Sequence, residues 1–231
     1  MITASALTKK FNDFVALDHL DLQVDAGEVF CLLGQNGAGK TTTVNIFLGF
    51  TEATSGTASI DGIPVKPGGM DTRKRLAFIP EVVMLYPHLT SMENLDFFSR
   101  MAGYRYSQRQ LGNLLQDAGL EPAAFHRRVG SHSKGMRQKV GIAIAVAKNA
   151  SAIFMDEPTS GLDPKATLEF SHIVRKLAAD GKAIFMATHD ILNAVSIGTR
   201  IGIMKTGQLA HIMPNEGLQP AVLQQIYMDI V

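Results

Sequence analysis

The sequence predicts an α/β fold: a mainly parallel sheet with helices on its faces, an antiparallel β region at the N-terminal end, and an inserted α-helical subdomain. Three observations predict it. From Ala152 to Lys205, short apolar runs alternate with helical periods, the pattern of parallel strands joined by helical crossovers. Glu28-Val-Phe-Cys-Leu-Leu33 is a nearly continuous apolar run, as expected of a strand buried on both faces. From about residue 84 to 150 only helical periods occur, which marks an insertion into the alternation.

Each element has its own signal. Leu20, Leu22 and Val24 alternate with polar residues, the period of a half-buried strand, and Ala26-Gly27 makes a turn. Ala58 to Val65, with Asp61-Gly62 at its centre, reads as a hairpin. Thr90-Ser-Met-Glu93 is a capping box followed by Leu95, Phe98 and Met101 at helical spacing. Ser107-Gln-Arg-Gln110 repeats the device and opens a helix that Gly119 closes. Ala152–Met155 is a strand, Asp163-Pro164 caps a helix ending near Gly181, and Ala183–Thr188 and Arg200–Lys205 are two further strands. Leu223, Ile226, Tyr227 and Ile230 form one apolar stripe of a helix expected to dock on the core.

Composition narrows the function. The 231 residues are 46% apolar and 19% charged, which fits a globular domain with a sizeable core and excludes wholesale disorder. Lys+Arg 22 against Asp+Glu 21 offers no general attraction to nucleic acid or anionic lipid. The single cysteine, Cys31, cannot form an intrachain disulfide, and no His/Cys cluster has zinc spacing. MITASALTKKF lacks the apolar core of a secretion signal, and the longest apolar run, Val140 to Ala147, is too short to span a bilayer. A reduced, soluble, intracellular protein is the expectation.

Gly34-Gln35-Asn36-Gly37-Ala38-Gly39-Lys40-Thr41 matches G-x-x-x-x-G-K-[ST] between an apolar strand and a helix, where that pattern has a mechanism. The glycines let backbone N–H groups close around phosphate, and the helix adds the positive end of its dipole. Lys40 would neutralise the β/γ-phosphates, Thr41 would ligate Mg²⁺, and Thr42 would contact phosphate nearby. Ala152-Ile-Phe-Met-Asp-Glu157 is a strand ending in two carboxylates. Beside the phosphate loop, Asp156 can reach the Mg²⁺ held by Thr41, and Glu157 can polarise an attacking water. Other segments have plain structural readings when taken singly: a surface His189, a capped helix start at Ser133, an N-cap at Asp163, a core Phe11.

In order, Lys40, Glu81, Ser133-Lys-Gly135, Asp156-Glu157, Gly-Leu-Asp163 and His189 resemble the ATP-binding cassette of ABC transporters, over about residues 2 to 210. The resemblance implies one ATP-binding domain over 1–231, whose inserted helical subdomain carries the signature segment. It implies an ATPase using ATP and Mg²⁺, with Phe11 stacked on adenine and Gly34–Thr42 holding the phosphates. Asp156 would be the magnesium-side carboxylate, Glu157 the catalytic base, and His189 the switch histidine at the γ-phosphate. Asp163 would lie in the loop that communicates across a dimer. Ser133 and Gly135 would contact the γ-phosphate of ATP held by a second cassette, an anion site at a helix N-terminus.

Two departures stand out. The commonest signature form is Leu-Ser-Gly-Gly-Gln, and this chain has His132-Ser-Lys-Gly-Met136. The loop that usually places glutamine near the metal reads Ile79-Pro-Glu81, making Glu81 a candidate metal ligand. Both variants, with Tyr86-Pro87 and Thr90-Ser-Met-Glu-Asn94, resemble the branch that energises ABC-2-type exporters. The implied partners are integral membrane permease subunits and a second cassette, with the chain peripheral on the cytoplasmic face of the cell membrane. Tyr86, Phe97, Phe98, Tyr104 and Tyr106 are candidates for the permease contact, Tyr86 foremost, with Phe98 expected in the insertion's own core. The rival expectation is a soluble ABC ATPase acting on ribosomes or DNA. Against it, the chain has no second cassette, no coiled coil and no basic tract, and no nucleic-acid partner is expected.

Overall fold

The computed structural model describes all 231 residues. The chain begins with β1 (Ile2–Phe11), β2 (Phe14–Val24), β3 (Val29–Gly34), α1 (Lys40–Phe47), β4 (Ser55–Ile60) and β5 (Ile63–Pro64). A short α2 (Met70–Arg73) and β6 (Leu76–Ile79) precede three helices, α3 (Ser91–Met101), α4 (Gln108–Asp117) and α5 (Lys134–Ala147). Then follow β7 (Ala152–Asp156), α6 (Pro164–Ala179), β8 (Ala183–Thr188), α7 (Ile191–Ile197), β9 (Arg200–Lys205), β10 (Gln208–Pro214) and α8 (Pro220–Ile230).

Two sheets result. The larger has the order β10-β9-β3-β8-β7-β6, parallel except for the edge strand β10. The smaller is antiparallel, in the order β2-β1-β4-β5. Strand periodicity divides the core between the two faces of the parallel sheet. Phe30 and Leu32 of β3, Phe154 of β7 and Phe185 of β8 pack with α1 and the antiparallel sheet. Phe47 of α1 stacks on Phe154 with ring centroids 5.2 Å apart. Val29, Cys31 and Leu33 point to the opposite face, among residues of α3 to α8. Burial on both faces is why these strands read as unbroken apolar runs.

The helix starts follow the sequence signals. Thr90 and Ser107 each complete a capping box, opening α3 and α4. Asp163 caps α6 through the Ala166 amide at 2.9 Å, with Pro164 in the first turn. In the terminal stripe Leu223 is fully buried, and Ile226, Tyr227 and Ile230 pack partly buried on the core. Burying a side chain like Leu223 contributes about 1.5–3 kcal/mol.

Several elements, α2 among them, had no clear signal. Four-residue β6 is too short to show a period, yet it pairs with β7 from Leu76↔Ala152 to Ile79↔Met155. The three helices thus begin only at Ser91, after a long loop from Pro80. The β9–β10 hairpin turns at Thr206-Gly207, both at positive φ, and α7 is only seven residues long. No helix is long and apolar enough to cross a membrane.

Candidate functional site

The register of the parallel sheet brings four chain segments to one edge. Leu33 lies opposite Thr188, Asp156 opposite Ala187 and Ile79 opposite Met155. The chain leaves these strands as the glycine loop, the Glu157 segment, the His189 segment and the Glu81 loop. Carboxyl ends of strands in open α/β sheets are where ligands bind.

Gly37 and Gly39 hold φ of +83° and +115°. At Gly39 a Cβ would lie 2.7 Å from the Ala16 carbonyl oxygen, so no other residue fits there. The loop opens on a cavity of about 470 Å³ lined by Gln35, Asn36, Gly37, Gly39, Lys40, Thr41 and Thr42. Gly34 ends β3 beneath it, and Ala38 is buried behind it. Phe11 and Phe14, paired across the β1–β2 turn, line the same cavity with Glu81, Asp156 and Glu157. Phe11 is an exposed cavity wall, 47% accessible, and not core. Lys40 Nζ donates to the carbonyls of Gly34 at 2.6 Å and Gln35 at 3.2 Å. Burial lowers its pKa, opposed by the charges of Glu157 and Asp156.

Thr41 Oγ1 donates to Asp156 Oδ2 at 3.3 Å. Two hard oxygens at that separation can both lie about 2.1 Å from one ion. No three carboxylate, histidine or cysteine side chains converge into a cage. The Thr41–Asp156 oxygen pair would suit Mg²⁺, which takes one or two protein oxygens and is completed by phosphate and water. Burial raises the Asp156 pKa, with Glu157 and Glu81 adding to the rise against the Thr41 hydrogen bond and Lys40.

Glu157 has φ +46°, a strained conformation for a residue with a side chain. Its amide donates to the Ala187 carbonyl at 2.9 Å. Its carboxylate accepts from Thr188 Oγ1 at 3.1 Å and meets His189 Nδ1 at 2.7 Å. Backbone and side-chain contacts together fix it on the cavity wall.

The other expected residues are placed differently. Glu81 borders the cavity, but its Oε1 accepts from Ser160 Oγ at 2.8 Å and lies 3.6 Å from Lys134 Nζ. The Ser160 hydrogen bond is the main reason its carboxyl titrates below the usual range. Ser133, Gly135 and Asp163 line a second cleft of about 240 Å³. Within one chain they are thus not brought to the phosphate loop. Ser133 caps α5 through the Met136 amide at 3.2 Å.

Sequence reasoning missed Thr188, Ser160, Phe14 and Gln138. Buried Gln138 donates from Nε2 to the carbonyls of Pro80, Glu81 and Pro158, at 3.2, 3.2 and 3.0 Å. A glutamine in the first half of the apolar α5 was its one available signal. Tyr86 forms an exposed aromatic cluster with Phe97 and Phe98, at centroid distances of 4.9 and 5.9 Å. Phe98 sits in this surface cluster, half-buried, and not in the insertion's core as its helical spacing suggested. It also lines a groove of about 510 Å³ with Met70, Met101, Tyr104 and Ile144. Tyr106 stacks on Tyr104 and donates its hydroxyl to the Ala147 carbonyl at 2.6 Å.

The family described as "ABC transporter" matches residues 17–160. A Nod factor export ATP-binding protein I from Cupriavidus pinatubonensis is 38% identical over 226 residues, covering 96% of this chain and 68% of that protein. Bacitracin transport ATP-binding protein BcrA of Bacillus licheniformis is 32% identical over 220 residues, covering 95% and 71%. The chain spans only 36% of the length of a third relative, the ABC transporter ATP-binding protein YbhF of Escherichia coli, at 34% identity. A dimeric ATP-binding cassette in a post-hydrolysis state with ADP and Pi superposes with TM-score 0.82 at 29% identity, covering 94% of this chain and 100% of that one. An ATP-binding subunit of an ABC transporter gives 0.84 at 30%, covering 100% and 99%. With the phosphate loop, the paired carboxylates and the two-sheet fold all present, the chain belongs to the ABC transporter family, as one of its ATP-binding cassettes.

Proposed function

We propose that the chain is the ATP-hydrolysing motor subunit of an ABC-2-type exporter, working on the cytoplasmic face of the membrane through separate permease subunits. We read residues 1–231 as one ATP-binding domain whose inserted helical part, about 84–150, carries the signature segment. The observation that carries the reading is the convergence of the loop's Lys40 and Thr41 with Asp156 and Glu157 on one cavity. The transport and export named for the two relatives above support its direction.

In this reading Phe11 stacks on adenine, and Gly34–Thr42 enclose the phosphates with backbone amides and the Lys40 charge. Thr41 and Asp156 would hold Mg²⁺, with Glu81 a further candidate ligand, and the ion would supply positive charge to the phosphates. Glu157 accepts a proton from the attacking water. His189, at 2.7 Å from Glu157, keeps that carboxylate oriented and lies beside the γ-phosphate. Ser133 and Gly135 reach the γ-phosphate only from a second copy, since in their own chain they line a different cleft. Asp163 lines that cleft too and stands at the junction of the two copies. ATP thus closes a head-to-tail dimer, and hydrolysis reopens it. The exposed Tyr86 cluster and the adjoining groove pass the motion to the permease.

The test is affinity purification of the tagged chain from detergent-solubilised membranes of its host. The expected result is a polytopic membrane protein at near-stoichiometric yield. Recovery of ribosomal or DNA-bound partners with no membrane protein would contradict the transporter assignment.

A further inference from the structure

Both departures from the commonest family pattern introduce charge, and the fold brings the two charges together. Glu81 stands where glutamine is usual, and Lys134 where the signature's first glycine is usual. The Lys134 ammonium lies 3.6 Å from Glu81 Oε1, which also accepts the Ser160 hydroxyl at 2.8 Å. Lys134 crosses the bare backbone of Gly161, where an added Cβ would meet its Nζ at 3.7 Å and its Cδ at 3.9 Å. One carboxylate thus ties α5 to both loops, the one after β6 and the one after β7.

The pair matters because Glu81 puts a third carboxylate on a cavity already lined by Asp156 and Glu157. Lys40, the cation of that cavity, is occupied with its own loop carbonyls. Beneath the pair, Gln138 joins the backbones of Pro80, Glu81 and Pro158. That buried staple fixes the backbone frame and leaves the side chains of Glu81 and Lys134 as the movable parts. They are 51% and 27% exposed, so exchanging partners does not break the core.

We propose that Glu81, Lys134 and Ser160 form a charge latch, closed when Glu81 holds Lys134 and opened when Glu81 turns to the metal of bound nucleotide. The latch rests on the ATP and Mg²⁺ reading above and deepens it, because taking up metal in one chain frees the signature lysine of that same chain. The free ammonium then stands at the N-terminus of α5, where an anion from a second copy's nucleotide can replace Glu81. An ion pair of this exposure changes an equilibrium constant by up to about fivefold.

The test uses the full chain and the magnesium enhancement of binding, defined as the dissociation constant of a non-hydrolysable ATP analogue in EDTA divided by that in Mg²⁺. Lys134→Gln removes the competitor for Glu81, so the enhancement rises about threefold to fivefold, and Ser160→Ala raises it in the same direction. In an Glu81→Gln background neither substitution changes it. An enhancement unmoved by Lys134→Gln, or moved equally with and without Glu81, overturns the latch. A wild-type chain that binds no analogue, or binds it without magnesium enhancement, overturns the site assignment itself.

Discussion

Asp156 shows how one residue joins the fold to its chemistry. It closes β7, so its backbone belongs to the sheet while its carboxylate enters the cavity beside Thr41. Burial raises its pKa first of all, with two neighbouring carboxylates adding to the rise. A raised carboxyl pKa means that the folded chain favours the protonated acid. Stability is therefore lost as pH rises from the ordinary aspartate value through the folded one. Asp156→Asn is expected to raise the melting temperature of the ligand-free chain at neutral pH, by about 2–4 °C for each 1 kcal/mol relieved. Metal binding has the opposite requirement, an ionised carboxylate. Magnesium enhancement of ATP binding should thus fall on acidification at a pH above the ordinary aspartate value of about 3.9. Calorimetric melting and a pH series of ATP titrations check the two halves. At this scale the sequence was most informative where chemistry dictates spacing, from Gly34 to Thr42. It was least informative for Thr188 and Ser160, whose hydroxyls matter only through the carboxylates that folding brings to them.

At the scale of elements, α5 is the hub. Ser133 caps it, Arg137 Nη1 donates to the His132 carbonyl at 2.5 Å, and Gln138 fastens it to two loops. His132, just before the cap, is buried and bonds Ser91 Oγ of α3 through Nε2 at 2.8 Å, while its Nδ1 has no partner. Burial lowers its pKa, and the charges of Arg127 and Arg137 push the same way. Because the folded pKa lies below the unfolded one, the neutral ring's stabilisation is present above about pH 6.5 and is lost as pH falls through the folded value. His132→Leu, the commonest residue at this signature position, should flatten the decline of unfolding free energy below that pH. Denaturant unfolding at several pH values measures the slope; identical slopes in the two proteins would exclude His132 as its source. Elements were legible wherever capping and period agreed, as at Thr90, Ser107 and Asp163. They were not where a strand was as short as β6 or a side chain faced outward, as with Phe98.

For the whole molecule, the two clefts are the main clue. The phosphate cavity and the Ser133–Asp163 cleft lie apart in one chain, and in the proposed head-to-tail pair each would complete the other. Glu157→Gln should bind ATP yet stall hydrolysis and accumulate closed dimer. Adding Ser133→Arg should block that dimer while leaving ATP affinity of the monomer nearly intact. Light scattering with and without Mg·ATP separates the cases, and weakened monomer binding in Ser133→Arg would contradict its role across the dimer. Strand–helix alternation and motif order were enough to anticipate the parallel sheet and the helical insertion. Which segments of different copies meet is not encoded in any local period; the expectation that Ser133 and Gly135 face a second copy's nucleotide came from the family resemblance, and the two clefts are consistent with it.

Every role proposed for these residues requires nucleotide in the cavity at the glycine loop. Titration calorimetry of wild type and Lys40→Ala with Mg·ATP measures this most directly. One ATP per wild-type chain, and no measurable heat of binding in Lys40→Ala, is the predicted result. Equal affinity in the two proteins would contradict it.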